Sequence, residues 1–263
     1  GSAEQVNDAY NAQVLAAALS VGLSHALNAR GVQAEAMLGF SLGQISALMA
    51  SGALSDEDGF ALLDVRARSM AQACEERPGA MYALLGATHE DAQGICDECA
   101  QDEILVCANF NAPGQVVVSG DVAAIKRAEK AWQSLGKRGA RLNTAGAFHS
   151  PLMASASKAV REKCSELSWK QPAVPVICNT DAQVFDVDQA ADRLARQVVS
   201  PVHFEQSVQA LIRQSATRFV EVGYGAVLNG LVRRIDKRAG RVRVGTLGEW
   251  NAFVSEQTGI GEE

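Results

Sequence analysis

Gly39-Phe40-Ser41-Leu42-Gly43 sets a serine between two glycines in a G-x-S-x-G pattern. A short apolar run, Ala36–Phe40, precedes it, and a stretch of helical periodicity, Ser41–Ala50, follows. A strand that turns sharply into a helix pushes the serine oxygen into the open at the helix N-terminus. Side chains at the flanking positions of so tight a turn are not easily accommodated. The Leu42 N–H then becomes a donor for an oxyanion, aided by the positive end of the helix dipole. Such a group can carry an acyl chain as a serine ester; the same string also serves as a phosphate-binding or merely packing βα turn.

A serine hydroxyl is a weak nucleophile at neutral pH and needs an adjacent base. The chain has four histidines, at 25, 89, 149 and 203. His25 falls on a helix, His89 in the first turn of a surface helix, and His203 just after Pro201 at a helix start. His149 alone lies in a short connection of mixed polarity, as a cleft residue would. It is the candidate base, with a hydrogen-bonded loop histidine as the alternative.

The surrounding pattern reads as α/β. Gln13–Asn28 is helical in spacing and ends at Gly31; Ser55, with Asp58 three residues on, starts a helix running to about Glu75. From Ala80 the order is strand (80–85), helix capped by Thr88 (88–100), strands 104–108 and 115–119 joined by a turn-rich 109–114, helix 121–135 and strand 138–142. That β-α-β-β-α-β order is the split ferredoxin-like unit. The expected domains are therefore a small inserted one over 79–143 and a large one over 1–78 and 144–263. The large domain resumes with helix 151–166, strand 174–179, helices near 188–198 and 203–214, strand 219–222, a helix after Gly225, strand 242–245 and a last helix from about Leu247. Alternating strands and helices predict a mainly parallel sheet covered by helices on both faces.

Composition narrows the class. The 263 residues are 48% apolar and 21% charged, the balance of an ordinary globular protein. A net charge of −6 argues against nonspecific nucleic-acid binding. The longest apolar stretch, Val14–Leu23, is broken by Ser20 and Gly22 and falls short of a membrane span. Six irregularly spaced cysteines read as reduced thiols of a cytoplasmic protein, not as a disulfide framework. Cys96-x-x-Cys99 has no second ligand pair and does not read as a zinc site.

Five stretches, in order, carry a resemblance: GFSLGQ (39–44), VRARSM (65–70), NFNAPGQVVVSG (109–120), GAFHSPLM (146–153) and EVGYGAVLNGL (221–231). Together they resemble the malonyl-CoA:acyl carrier protein transacylases of fatty acid synthesis and the related acyltransferase domains of polyketide synthases. The resemblance implies a hydrolase-like large domain, and transfer of malonyl from malonyl-CoA to acyl carrier protein in a ping-pong cycle without metal or redox cofactor. It implies Ser41 as the acylated nucleophile, His149 as base, and the backbone carbonyl of Gln197 as the group orienting the imidazole. Arg66 would pair with the malonate carboxylate, through two parallel bonds that lysine cannot copy; in its run with Asp64 and Arg68 it also reads as a surface arginine. Phe148 resembles the malonyl-selective version of its position. Asn111 and Gln115 match positions that brace the site, or are ordinary turn and strand residues. A thioesterase or esterase using the same serine, and a noncatalytic carrier-binding fragment, are the rival readings.

The chain departs from that pattern at Phe40, where the resemblance leads one to expect His, and at Gln44, where it leads one to expect Glu. Relatives also begin with a strand and a loop whose glutamine N–H completes the oxyanion hole, and this sequence starts beyond that point. Arg233, Arg234, Lys237, Arg238, Arg241 and Arg243 form a basic run. Lys137 and Arg138 form a second, smaller cluster, at positions where the resemblance implies docking of the acidic carrier. Either cluster would also serve as a solvated face.

Overall fold

The computed structural model describes residues 9–258. Helix α1 (Ala9–Ala29) leads through Gly31, at φ +77°, to strand β1 (Met37–Leu38). Helices α2 (Gly43–Ala50) and α3 (Asp56–Glu76) follow. Ser55 caps α3, its hydroxyl accepting the Asp58 N–H at 3.1 Å. The helix predicted from Ser41 begins two residues later, because Ser41 itself is left-handed, at φ +52°.

Next comes β2 (Gly79–Leu85), α4 (His89–Ala100), β3 (Leu105–Ala112), β4 (Gln115–Asp121), α5 (Val122–Ser134) and β5 (Gly139–Arg141). These strands form one sheet in the order β3-β4-β2-β5, every pair antiparallel. Thr88 and Asp91 make a reciprocal capping box at the start of α4. Tyr82, Leu84, Ile125 and Trp132 are at most 1% exposed and fill the space between this sheet and its two helices. The turn-rich segment expected at 109–114 is largely strand: β3 runs on to Ala112, and only Pro113-Gly114 turns. Proline supplies the fixed first angle and Gly114, at φ +75°, the left-handed second one. Irregular pairing between Cys107 and Asn109, and between Phe110 and Ala112, breaks the alternation that would mark this stretch as a strand.

The chain then passes a 3₁₀ turn (Pro151–Met153) into α6 (Ala154–Glu166), β6 (Val176–Ile177), α7 (Ala190–Val199), α8 (Phe204–Arg213), β7 (Arg218–Val222), α9 (Val227–Ile235), β8 (Gly240–Val244) and α10 (Leu247–Thr258). The single parallel sheet predicted for this part is, among the described residues, two separate parallel pairs, β1–β6 and β7–β8. β1 stops after two residues because the chain turns at Gly39, and β6 gives way to a polar loop at Asn179. Leu38 and Phe40 pack in one apolar cluster with Phe219 of β7.

The apolar segment near the N-terminus is also longer as a helix than as a run. Tyr10–Ala29 reaches the length and mean hydropathy of a membrane span. Ala17 and Val21 nevertheless sit in the largest core cluster, with Leu48, Leu62 and Met70 of α2 and α3. All six cysteines are free and buried.

Candidate functional site

Two non-glycine residues in the left-handed region face one another: Ser41 at φ +52° and His149 at φ +57°. Such backbone is retained only where the surroundings over-determine it, and such places cluster at functional sites. Ser41 stands at the turn from β1 into α2. Gly39 is indispensable to that turn, since a Cβ there would lie 1.8 Å from the Gly43 carbonyl carbon. Gly43 differs from the expectation: it opens α2 with a negative φ, and a Cβ there would meet nothing within 4 Å.

His149 follows the return from β5. The Ser150 hydroxyl donates to the Ala147 carbonyl at 2.6 Å and accepts the Leu152 N–H at 3.3 Å, and Pro151 opens the 3₁₀ turn, fixing the chain on either side of the imidazole. The Ser41 hydroxyl donates to His149 Nε2 at 2.8 Å, and His149 Nδ1 donates to the Gln197 carbonyl at 2.9 Å. The carbonyl can only accept, so it fixes the tautomer that leaves Nε2 free to take a proton. His149 is buried. Burial, then the nearby Arg66 charge, push its pKa down to about 4, against the raising effect of the Gln197 and Ser200 carbonyls.

Arg66, on α3, is 2% exposed. Its Nη2 donates to the Ser41 hydroxyl at 3.0 Å and its Nη1 to Gln13 Oε1, while its Nε finds no partner among the described residues. Burial lowers its pKa to about 10, so it stays a cation at neutral pH. Both groups it donates to are neutral. A buried guanidinium with a free donor beside a serine hydroxyl can pair with a carboxylate.

The other predicted residues lie as follows. Leu42 ends the turn, and its N–H meets no acceptor among the described residues. Gln197, on α7, uses both its carbonyl and its side chain, the latter donating to the Ser41 carbonyl at 2.9 Å. Phe148 packs against the main core and the sheet face bearing Met81 and Val117. Asn111 is buried on β3, and its side-chain oxygen meets no partner among the described residues. Gln115 accepts from Arg234 at 3.0 Å. Lys137 and Arg138 are exposed beside Trp132. In the larger basic run, Arg238 pairs with Asp236, Arg243 with Glu249, and Arg241 donates to the Ala239 carbonyl, so much of that charge is already engaged. His89 and His203 flank the Phe110 ring, at 4.4 and 5.1 Å between centroids. His25 lies 3.5 Å from Asp56.

A cavity of about 250 Å³ reaches His149, lined by Val199 and Pro201 on one side and Val106, Cys107 and Phe110 of β3 on the other. Sequence reading missed Gln13 and Asn179. The one signal for Gln13 is a polar side chain in the otherwise apolar stretch Ala12–Leu19; Asn179, which accepts the Ser41 N–H at 2.9 Å, lies two residues past β6 and carried no signal of its own.

The acyl transferase domain family matches residues 2–251. The chain belongs to that family. This acyl transferase is 36% identical over 247 residues to the malonyl CoA-acyl carrier protein transacylase of Bacillus subtilis, covering 93% of this chain and 78% of that one. With the same protein of Escherichia coli it shares 34% over 238 residues, 89% of this chain and 77% of the relative. Among solved structures, the malonyl-CoA:acyl carrier protein transacylase of Xanthomonas oryzae superposes with a TM-score of 0.94 at 36% identity, covering 97% and 82% of the two chains. A malonyl-transacylase in complex with its type II PKS acyl-carrier protein matches at a TM-score of 0.93 and 29% identity, over 97% and 84%.

Proposed function

We propose that this acyl transferase moves a malonyl group from malonyl-CoA to the pantetheine thiol of an acyl carrier protein, through a malonyl ester on Ser41. The observation that carries the reading is the buried Arg66 guanidinium, which donates to the nucleophile itself and to the neutral Gln13. A carboxylate on the acyl group would complete its pairing; an acetyl group would leave the buried charge unmatched.

In the first half-reaction, His149 Nε2 takes the Ser41 proton while Oγ attacks the thioester carbon. The Leu42 N–H and the N-terminus of α2 stabilise the oxyanion. The C–S bond then breaks, and the imidazolium returns the proton to coenzyme A. In the second half, His149 takes the proton of the carrier thiol, whose sulfur attacks the ester; the C–Oγ bond breaks and Ser41 regains its proton. The Gln197 carbonyl stabilises the imidazolium less than a carboxylate would, which suits a thioester, an easier target than an amide.

The finer architecture belongs to the same reading. The strand order β3-β4-β2-β5 supports a ferredoxin-like small domain over 79–143, set into a hydrolase-like large domain over 1–78 and 144–263. The cavity at their junction supports entry of the pantetheine arm there. Phe148 shapes the acyl site, Asn111 and Gln115 brace the small-domain side, and Lys137 with Arg138 receive the acidic carrier. Six free buried thiols support a cytoplasmic setting.

Rapid mixing with malonyl-CoA tests the proposal. The expected result is a burst of about one coenzyme A per active site and one malonyl group on the peptide bearing Ser41, neither seen with Ser41→Ala. Arg66→Ala should shift preference from malonyl-CoA toward acetyl-CoA. Steady release of free malonate without a thiol acceptor would make the protein a thioesterase, and carrier binding without any burst would make it a noncatalytic module.

A further inference from the structure

Three buried amide side chains stand behind the nucleophile turn: Gln44, Asn179 and Gln197, each at most 1% exposed. Asn179 grips the turn from both ends. Its Oδ1 accepts the Ser41 N–H at 2.9 Å, and its Nδ2 donates to the Gly39 carbonyl at 2.7 Å. Gln44 holds Asn179 in turn, its Oε1 accepting the Asn179 N–H at 2.8 Å. Gln197 Nε2 donates to the Ser41 carbonyl at 2.9 Å and also reaches Asn179 Oδ1 at 3.1 Å and Gln44 Oε1 at 3.3 Å. The residue whose carbonyl orients the base therefore also holds the backbone of the nucleophile.

We infer that Asn179, with Gln44 behind it, is a positioning residue for acyl transfer: it holds the left-handed Ser41 backbone so that Oγ meets both His149 and Arg66. The inference rests on Ser41 acting as nucleophile and His149 as base. A left-handed serine relaxes toward ordinary backbone unless its N–H and C=O are held, and here side chains bind both. A released turn would swing Oγ off the Nε2 lone pair, while leaving the Arg66–Gln13 pair, on α3 and α1, in place. The loss should therefore fall on the chemical step and not on substrate binding. Gln44 holds Asn179 through one accepting oxygen, a duty that a glutamate oxygen can also perform, while its Nε2 donates only a long bond, 3.8 Å, to Cys178 Sγ.

The test is pre-steady-state acylation by malonyl-CoA in Asn179→Ala, Gln44→Leu and Gln44→Glu, with circular dichroism and thermal unfolding checking each fold. Asn179→Ala should slow acylation by about 10- to 100-fold while the KM for malonyl-CoA moves less than about threefold. Gln44→Leu should slow it in the same way, and Gln44→Glu should restore it to within about threefold of the parent. If Asn179→Ala fails to fold, the Gln44 pair decides. A folded Asn179→Ala acylating at the parent rate, equal rates for Gln44→Leu and Gln44→Glu, or a KM rising in step with the loss of rate would each overturn the inference. Ser41→Ala, run alongside, separates the two levels: if it still acylates, the nucleophile assignment falls; if it is dead while folded Asn179→Ala is unimpaired, only the positioning role falls.

Discussion

At the scale of single residues, the site is built around a half-buried serine and a buried imidazole that must both be ready for a proton transfer. His149 has its pKa lowered to about 4, chiefly by burial and next by the Arg66 charge. It is therefore neutral, with an unprotonated Nε2 that accepts the Ser41 hydroxyl, throughout the physiological range. In the unfolded chain a histidine titrates near 6.5. Between that value and about 4 the unfolded state binds a proton that the folded state refuses, so this group costs stability progressively as the pH falls through that window and costs nothing further above it. For catalysis, kcat/KM for malonyl-CoA should stay level down to pH values well below 6.5 and fall only as His149 of the free enzyme protonates. A substrate carboxylate on Arg66 would cancel part of the charge that depresses the imidazole, so the acid limb of kcat should lie above that of kcat/KM. Stopped-flow acylation across pH 4–8 measures both, and an acid limb centred near the ordinary histidine value in kcat/KM would contradict the buried, carbonyl-held imidazole.

At the scale of elements, the turn from β1 into α2 separates what a string of residues reveals from what only a fold can. Ser41 was legible because G-x-S-x-G sat between a strand-like and a helix-like run, and His149 because three other histidines had bland settings. Asn179 and Gln13 were not, because they meet Ser41 and Arg66 across 138 and 53 positions of sequence and neither shows in any local period. The strand at 109–112 was hidden by two register irregularities; the four strands of the pairs β1–β6 and β7–β8 were legible as strands, but nothing local in them shows that they form two parallel pairs and not one sheet. The helices with a polar first turn, α3 and α4, were placed almost to the residue because their caps are local hydrogen bonds. The two glycines of the turn looked equivalent and are not. Gly39→Ala should prevent proper folding or abolish acylation, since the new methyl would overlap the Gly43 carbonyl. Gly43→Ala has open space and gains helix propensity, so its thermal midpoint should match or exceed the parent's, by about 1 kcal/mol of stability at most. Comparable loss in both variants by thermal unfolding would mean that the turn is differently constrained.

At the scale of the whole molecule, the reacting groups lie on a seam. Trp132 and Tyr82 centre one core, Leu48, Leu62 and Met153 another, and the two meet through backbone. The Phe110 N–H donates to the Val202 carbonyl, and the Val202 N–H donates to the Ala108 carbonyl, both at 2.9 Å, so the segment just past α7 pairs with β3 directly below the cavity. Arg234 with Gln115, and Arg77 with Asp121, add side-chain ties across the same seam. A partner delivering a tethered thiol to His149 has to approach that junction, and an acidic partner approaching a protein of net charge −6 needs local positive charge to overcome the general repulsion. On the proposed reading Lys137 and Arg138 supply it, on an exposed turn at the edge of the four-stranded sheet; Lys137 Nζ lies 6.0 Å from the Trp132 ring centroid, and the indole donates to the Arg138 main-chain carbonyl, which substitution leaves intact. Reversing both charges, Lys137→Glu with Arg138→Glu, should therefore raise the KM for the carrier by up to about tenfold and flatten its dependence on salt. The coenzyme A half-reaction, which involves no carrier, should keep its rate and its KM. Equal impairment of both half-reactions would mean that the turn acts on the fold, and an unchanged carrier KM would move the docking face elsewhere, with Arg233 and Lys237, whose charges pair with no acid among the described residues, the next surface to reverse.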